Sequence, residues 1–475
     1  MLHRSKVIEE KWGMVEQEKQ TVFGGPTKRF FVAMLTRDIE LKDALLDLID
    51  NSVDGATRQL RGKVKKADAY RGFDARLTVS ATSFDITDNC GGIPEDAIKD
   101  AFLLGRPKVE KDKGIPTIGV YGIGMKRAIF KLGEEAEVES YADDGAFAVS
   151  YTSAWLNPDS ADWELPIRPL KNRAKKGVVI IVPTLKKDIG KLFGNAAFVN
   201  TLKTAISEHF GYLIQKGFSI WVNGEKIRPL TLQLYSTELS IKNGIRPYDF
   251  EADEDGVHIR VSVGFFRPLV RMEEIDEAAE KPEAEHAGIS VICNDRLVLL
   301  NDKSAKTGWG DGAVPKYHPQ FRSIAGFIIF STDEPEKLPI STTKRDLDVG
   351  EDVYLHARQF CMEGLREFTA FTNKWKGMEE ETTELFEQAT KRDVRTQVTL
   401  ASRHGSKVRG RDNAKKYTAN LPIPEQRNPI RRISFTRKED LIRKVSKYLF
   451  GSADETPSYV GQECFDRLLA ESKKK

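Results

Sequence analysis

The apolar positions of this chain change period several times, and each change marks an element. Between residues 43 and 56, Leu45, Leu46, Ile49 and Val53 recur at helical spacing, which predicts a helix with one buried face. The run before Asp88 is apolar and β-prone and leads into Asn89-Cys90-Gly91-Gly92, a strand followed by a turn. Helical spacing returns at 125–132 after a glycine-rich stretch, and 177–182 is a short β-branched run that predicts a strand. Residues 196–216 predict an amphipathic helix, and 218–222 a strand entering the turn Asn223-Gly224. Further strands are predicted at 257–266, 288–293, 297–300 and 326–330, with Asn294-Asp295 turning a hairpin, and a long helix near 351–375. The stretch 403–416 is rich in Gly, Ser, Lys and Arg and reads as a loop or disordered arm. Residues 431–450 then read as a strand and a basic helix, and 463–474 as a last helix. The class expected is α+β.

The polar positions of three of these elements carry candidate chemistry. Asp47 and Asn51 are one turn apart, so they share a side of the first helix. A carboxylate and a carboxamide so placed can hold a water and a hard cation beside a phosphate chain; the plainer alternative is a solvated acidic face. Asp50 reads as a solvated or capping residue, and Asp54 as either a backbone partner or a ligand contact. Asp88 ends a strand beside glycines, where a flat ligand can approach closely and its exocyclic amine can donate to the carboxylate; taken alone, an ordinary Asn-Gly-type hairpin turn explains it better. Gly119, Gly122 and Gly124 precede a helix, an arrangement whose free N–H groups suit an anion, with Lys126 and Arg127 adding charge. The spacing is not that of a dinucleotide fold, and no Gly-x-x-x-x-Gly-Lys-Ser/Thr loop occurs.

In this order, the acidic helix, the Asp-turn-Gly-Gly and the glycine lid resemble the three ATP-site boxes of the GHKL superfamily. That group includes type II topoisomerase ATPase domains, Hsp90, the MutL proteins, MORC proteins and sensor histidine kinases. The resemblance covers residues 29–185, and the lid from Gly119 to Lys126 is most similar to that of MORC proteins and their bacterial relatives. It implies a Bergerat α/β sandwich at 29–190 after an N-terminal segment, 1–28, that could strap a dimer. It also implies an S5-like transducer domain at 191–376 and a basic, partly helical region at 377–475.

The resemblance implies ATP and Mg²⁺ as cofactors, with Asn51 as metal ligand and Asp47 as general base. Asp88 would meet the adenine amine, with Gly92 and Ile93 beside it. Gly119, Gly122, Gly124, Met125 and Lys126 would enclose the phosphates. Lys108 would lie near the lid, and Lys344 would reach the γ-phosphate from the second domain. Three positions depart from the pattern. Asp47 stands where most relatives carry Glu, Cys90 replaces a glycine, and Val178 stands where a Thr often reaches adenine through water. One methylene less at the base implies slow turnover, because misplacement by about 1 Å costs on the order of a hundredfold in rate.

A function follows from the same resemblance. It implies a homodimer that closes on ATP as a switch or clamp on nucleic acid, in DNA maintenance or phage defence, with an effector protein in trans. The alternatives are a non-hydrolysing ATP-binding scaffold for a partner effector and an Hsp90-like chaperone, whose further domains need more chain than follows residue 185. A histidine kinase would place its phosphoacceptor helix first, yet only His3 precedes Asp47.

Composition narrows this further. With 40% hydrophobic and 31% charged residues the chain is expected to be globular, and no run of about 18 apolar residues suggests a membrane span. Residues 1–20 lack an apolar signal core. Cys90, Cys293, Cys361 and Cys464 lie far apart, without metal-type spacing, and fit a reducing cytoplasm. The acidic insert 273–286 reads as a loop. Charge is concentrated near the C-terminus: residues 391–450 carry 17 Lys and Arg against 5 Asp and Glu, a net of +12 in a chain of +3. Such a region favours phosphate neutralisation on nucleic acid, or else forms a solvated face or meets an acidic protein.

Overall fold

The computed structural model describes residues 27–37, 39–61, 63–65, 68–105, 114–119, 122–270, 286–341, 346–397, 405–408, 411–418, 420–424 and 435–473. The chain divides into two units, Met1–Ile423 and Pro424–Lys475. The larger unit holds two main hydrophobic cores.

The first core is built on an eight-stranded sheet. Its strands are β1 (Asp74–Val79), β2 (Phe84–Asp88), β3 (Gly133–Tyr141), β4 (Ala146–Tyr151), β5 (Ile167–Pro169), β6 (Gly177–Leu185), β7 (Ser219–Val222) and β8 (Glu225–Lys226), in the order β5-β4-β3-β6-β2-β1-β7-β8. The helices Leu41–Leu60 and Gly124–Leu132 share this core. Leu45, Leu46, Ile49 and Val53 are buried as their spacing requires, and Ala44, Leu48 and Ala56 widen the apolar stripe.

The first core does not stop at residue 190, where a division was expected. β7 pairs with β1 in parallel, Asp74 opposite Ser219 through Leu77 opposite Val222. Parallel neighbours need a crossover, and the predicted amphipathic helix, here Ala196–His209 with a short continuation Gly211–Gln215, lies on the path that returns the chain to β1. Leu202, Ile206, Phe210 and Leu213 bury its apolar face in the first core. Residues 191–227 therefore complete the first sheet. An isolated amphipathic helix and strand look the same whether they finish one sheet or begin the next.

The second core carries a seven-stranded sheet. Its strands are β10 (Tyr248–Glu254), β11 (Val257–Phe265), β12 (Gly288–Cys293), β13 (Arg296–Asp302), β14 (Ile324–Ser331), β16 (Ser406–Val408) and β17 (Arg411–Tyr417), ordered β13-β12-β14-β11-β10-β17-β16. The long helix Asp352–Lys374 packs into it through Tyr354, Ala357, Cys361, Leu365 and Phe368. Two further strands, β9 (Gln233–Thr237) and β15 (Ala389–Asp393), pair with each other.

These pairings also move the boundary expected at 376. The stretch 403–416, expected to be a loop or disordered arm, supplies β16 and β17. β17 pairs with β10 from Asp249 opposite Tyr417 to Ala252 opposite Ala414. Only Ala414 offers a buried apolar position, so a charged strand near a sheet edge carried almost no periodic signal. The smaller unit contains the helices Glu439–Phe450 and Pro457–Ser472. The last helix begins before the predicted 463 because Thr456 caps it, its hydroxyl accepting from the Tyr459 amide, with Pro457 in the first turn. Residues 435–438 form no strand. The predicted N-terminal strap, but for residues 27 and 28, and nearly all of the acidic insert lie outside the described residues. Among the described residues no helix is long and apolar enough to cross a membrane.

Leu202→Ala tests whether the 196–209 helix belongs to the first core. It is expected to lower stability by about 2–5 kcal/mol in urea denaturation. A change below about 0.5 kcal/mol, the scale of a surface substitution, would remove the helix from that core.

Candidate functional site

The helix Leu41–Leu60 places three carboxylates in its buried part and one carboxamide outside it. Asp47, Asp50 and Asp54 are buried, whereas Asn51 is exposed. Each carboxylate is held by a different element. Asp47 pairs with the guanidinium of Arg127, on the helix Gly124–Leu132. Asp50 lies 3.2 Å from Nη1 of Arg296, at the start of β13 in the second core. Asp54 accepts from the amides of Ile118 and Gly119, both at 2.9 Å. The expectation for Asp50 is thus overturned: it forms a buried ion pair, neither solvated nor capping. Asp54 is a backbone partner at the root of the glycine lid.

Asp88 closes β2 and lines a cavity together with Asp47 and Asn51. Its Oδ2 accepts from the Ser52 hydroxyl at 2.8 Å. Its Oδ1 accepts from the amides of Cys90 at 2.9 Å and Val178 at 3.0 Å. Burial pushes this carboxyl above its ordinary range, and the three donors partly oppose the shift. Val178 therefore contributes through its backbone amide, which orients Asp88. Gly92 has φ +73°, and a Cβ there would lie 2.4 Å from the Tyr141 carbonyl oxygen, so the turn needs glycine. The neighbouring Ile93 amide donates to Ser140 Oγ at 2.6 Å. Cys90 is buried and burial pushes its thiol well up, in keeping with a packing residue.

The cavity has a volume of about 400 Å³. Of the residues predicted from the sequence, Asp47, Asn51, Asp88, Gly92, Ile93, Gly119, Gly122, Gly124, Met125 and Lys126 all line it. Lys108 and Lys344 lie outside the described residues. Lys126 folds back, its Nζ 2.5 Å from the Gly122 carbonyl. Gly124, Met125 and Lys126, the first turn of the Gly124–Leu132 helix, line the cavity with Asp47 and Asn51, and the first amides of a helix have no partner within it.

This donor set fits a nucleotide with a bound Mg²⁺. A buried carboxylate sits where an amine can donate, and a helix N-terminus with a lysine sits where an anion can rest. The exposed Asn51 is an oxygen ligand of the kind Mg²⁺ takes in small number, the rest coming from phosphate and water.

Sequence reasoning missed four participants. Ser52 and the Val178 amide gave no signal because their role is to orient Asp88. Arg127, expected to add charge for an anion, turns inward to Asp47. Arg296 sits some 250 residues from its partner, beyond any local pattern.

The raised carboxyl of Asp88 has a consequence for stability. The folded protein keeps that proton at pH values where the unfolded chain has lost it. Its contribution to stability therefore falls as pH climbs from the ordinary carboxylate range through the raised value, and is level above it. Asp88→Asn is expected to remove this slope. Parallel pH profiles of the urea midpoint for the two proteins would show that Asp88 titrates as an ordinary surface carboxyl.

Residues 39–173 match the family model described as histidine kinase-, DNA gyrase B-, and HSP90-like ATPase. No curated protein matches the chain. The matched stretch contains the acidic helix, the Asp88 turn and the lid helix, the elements that build this cavity. Over residues 39–173 the chain is thus similar to histidine kinase-, gyrase B- and HSP90-like ATPase domains, a similarity that supports a GHKL-type ATP-binding domain in that stretch.

Proposed function

We propose that the protein binds and slowly hydrolyses Mg-ATP, and that ATP gates the association of two chains acting on nucleic acid. The observation that carries this reading is one cavity lined together by Asp88, held by three donors, by Asn51 and Asp47, and by the start of the lid helix. Asp88 takes the adenine amine, Asn51 holds the metal, Asp47 orients the attacking water, and Lys126 with the lid glycines meets the phosphates. Lys108 and Lys344 are proposed as further phosphate contacts, Lys344 from an S5-like second domain. Mg-ATP supplies the charge-neutralised phosphoryl group; the chain's own residues position it.

Association is supported by the helix Lys28–Arg37. Its start is anchored by the Lys28 ammonium, 4.0 Å from the ring centre of Trp155 and bonded to the Trp155 carbonyl at 2.8 Å. Phe30 and Met34, four apart on that helix, are 59% and 50% exposed, an apolar pair open to a second chain. Nucleic-acid contact is supported by the net charge of 391–450 and by Arg443, Lys444 and Lys447 on the helix Glu439–Phe450.

One observation favours a second reading. The Asp47 carboxylate is already engaged by Arg127, which would suit a scaffold that holds ATP without hydrolysing it for a partner effector.

Two experiments separate these readings. Asn51→Ala is expected to abolish Mg-ATP binding in calorimetry. Asp47→Asn is expected to bind, lose turnover and accumulate as a dimer in light scattering. Unchanged turnover in Asp47→Asn would place the base elsewhere, and absence of turnover in the unaltered protein would leave the scaffold. Separately, Lys444→Gln/Lys447→Gln is expected to weaken duplex binding and reduce the salt slope by about 2. An unchanged slope would point to an acidic protein partner.

A further inference from the structure

The turn between β12 and β13 joins two cores as well as two strands. We infer that Asn294, Asp295 and Arg296 are positioning residues through which the second core sets the geometry of the ATP site, an inference that rests on the ATP-binding reading above. Asn294 and Asp295 have φ +42° and +66°, both left-handed, as a tight two-residue hairpin turn requires. Arg296 and Asp295 reach residues of the first core, and Asn294 reaches the lid root.

Arg296 is 2% exposed. Its guanidinium lies 4.1 Å from the ring centre of Phe210 and pairs with Asp50 at 3.2 Å. Asp295 accepts from Lys216 Nζ at 2.5 Å and from the Tyr70 hydroxyl at 3.2 Å. Asn294 Nδ2 donates to the Thr117 carbonyl at 3.1 Å and to the Thr332 carbonyl at 3.0 Å, while its Oδ1 accepts from the Thr332 amide at 2.9 Å. One carboxamide thus bridges the second sheet and the root of the lid.

The places these residues reach are the ones the ATP site depends on. Asp50 is adjacent to Asn51 and three residues from Asp47 on one helix. Thr117 immediately precedes Ile118 and Gly119, whose amides hold Asp54 on that same helix. A shift of the hairpin would therefore carry the metal-and-base helix and the lid root together. The Arg296–Asp50 pair is buried, so it cannot lengthen gradually into water as a surface pair can. Removing or displacing either partner would leave an uncompensated charge in the interior, so the pair holds the hairpin and the helix in register.

The plainer role would be to hold two cores together. Asn294→Ala distinguishes them, because it removes the Thr117 bond together with the two bonds to Thr332 and leaves both buried charges paired, so that lid exchange and kcat report on the first loss and melting temperature on all three; Arg296→Lys keeps the charge but loses the planar fork. Three quantities are read on the full chain: melting temperature, hydrogen exchange over residues 114–132 without nucleotide, and kcat against KM for Mg-ATP. Asn294→Ala is expected to speed exchange at the lid root about tenfold and lower kcat about tenfold, with KM within about twofold, as displaced catalytic groups do. A lowered melting temperature with unchanged exchange and unchanged kcat would overturn the inference and leave a purely structural contact. If Arg296→Lys fails to fold, Asn294→Ala decides alone. If the unaltered protein does not bind Mg-ATP, the ATP-binding reading fails, and the exchange measurement still decides whether the hairpin positions the lid root.

Discussion

Everything around the ATP cavity depends on one constraint: a single helix must bury three carboxylates. Leu41–Leu60 cannot leave Asp47, Asp50 and Asp54 in its buried part without partners, because an isolated charge in the interior costs far more than a fold can bear. Each therefore fixes a neighbour. Asp47 fixes the helix after the lid through Arg127, Asp50 fixes the second core through Arg296, and Asp54 fixes the lid root through two amides. Removing one member of a buried pair costs about 3–5 kcal/mol, a large share of an ordinary domain's stability. The apolar stripe explains why the helix forms; the carboxylates explain why its surroundings take the arrangement they do.

The same constraint separates what the sequence made legible from what it did not. Local patterns worked where a residue acts through its own neighbours. The spacing of Leu45, Leu46, Ile49 and Val53, the glycines of the lid, and the hairpin at Asn294-Asp295 all appear where they were expected. They failed where a residue acts at a distance. Asp50 looked solvated because its partner is at position 296. The boundary at 190 looked natural because parallel pairing of β7 with β1 leaves no local mark. The strands at 406–417 looked disordered because a charged strand with one buried alanine has the composition of an arm.

The Asp88 turn shows an intermediate case. The aspartate and the glycine after it were legible, but the replaced glycine at Cys90 and the valine at 178 looked like losses. Both instead present backbone amides to the Asp88 carboxylate. A backbone donor places few demands on the side chain that carries it. The geometry around Asp88 can therefore survive substitutions that break a motif written in side chains.

Asp47 allows the same argument to be taken one step further. Read from the sequence, aspartate in place of glutamate is a missing methylene that leaves the base too far from its water. In the fold, the lid helix comes to Asp47 instead. A Cβ on Gly124 would stand 3.4 Å from the Asp47 Cβ and 3.6 Å from its Oδ2, so the helix N-terminus lies almost against the carboxylate. Even a methyl group on Gly124 would touch the Asp47 side chain at ordinary van der Waals distance. The short side chain, the glycine and the arginine thus belong to one close contact between two helices, favoured further by the positive end of the lid helix dipole. The position of the Asp47 carboxylate is thus set from two sides, by Arg127 and by the start of the lid helix.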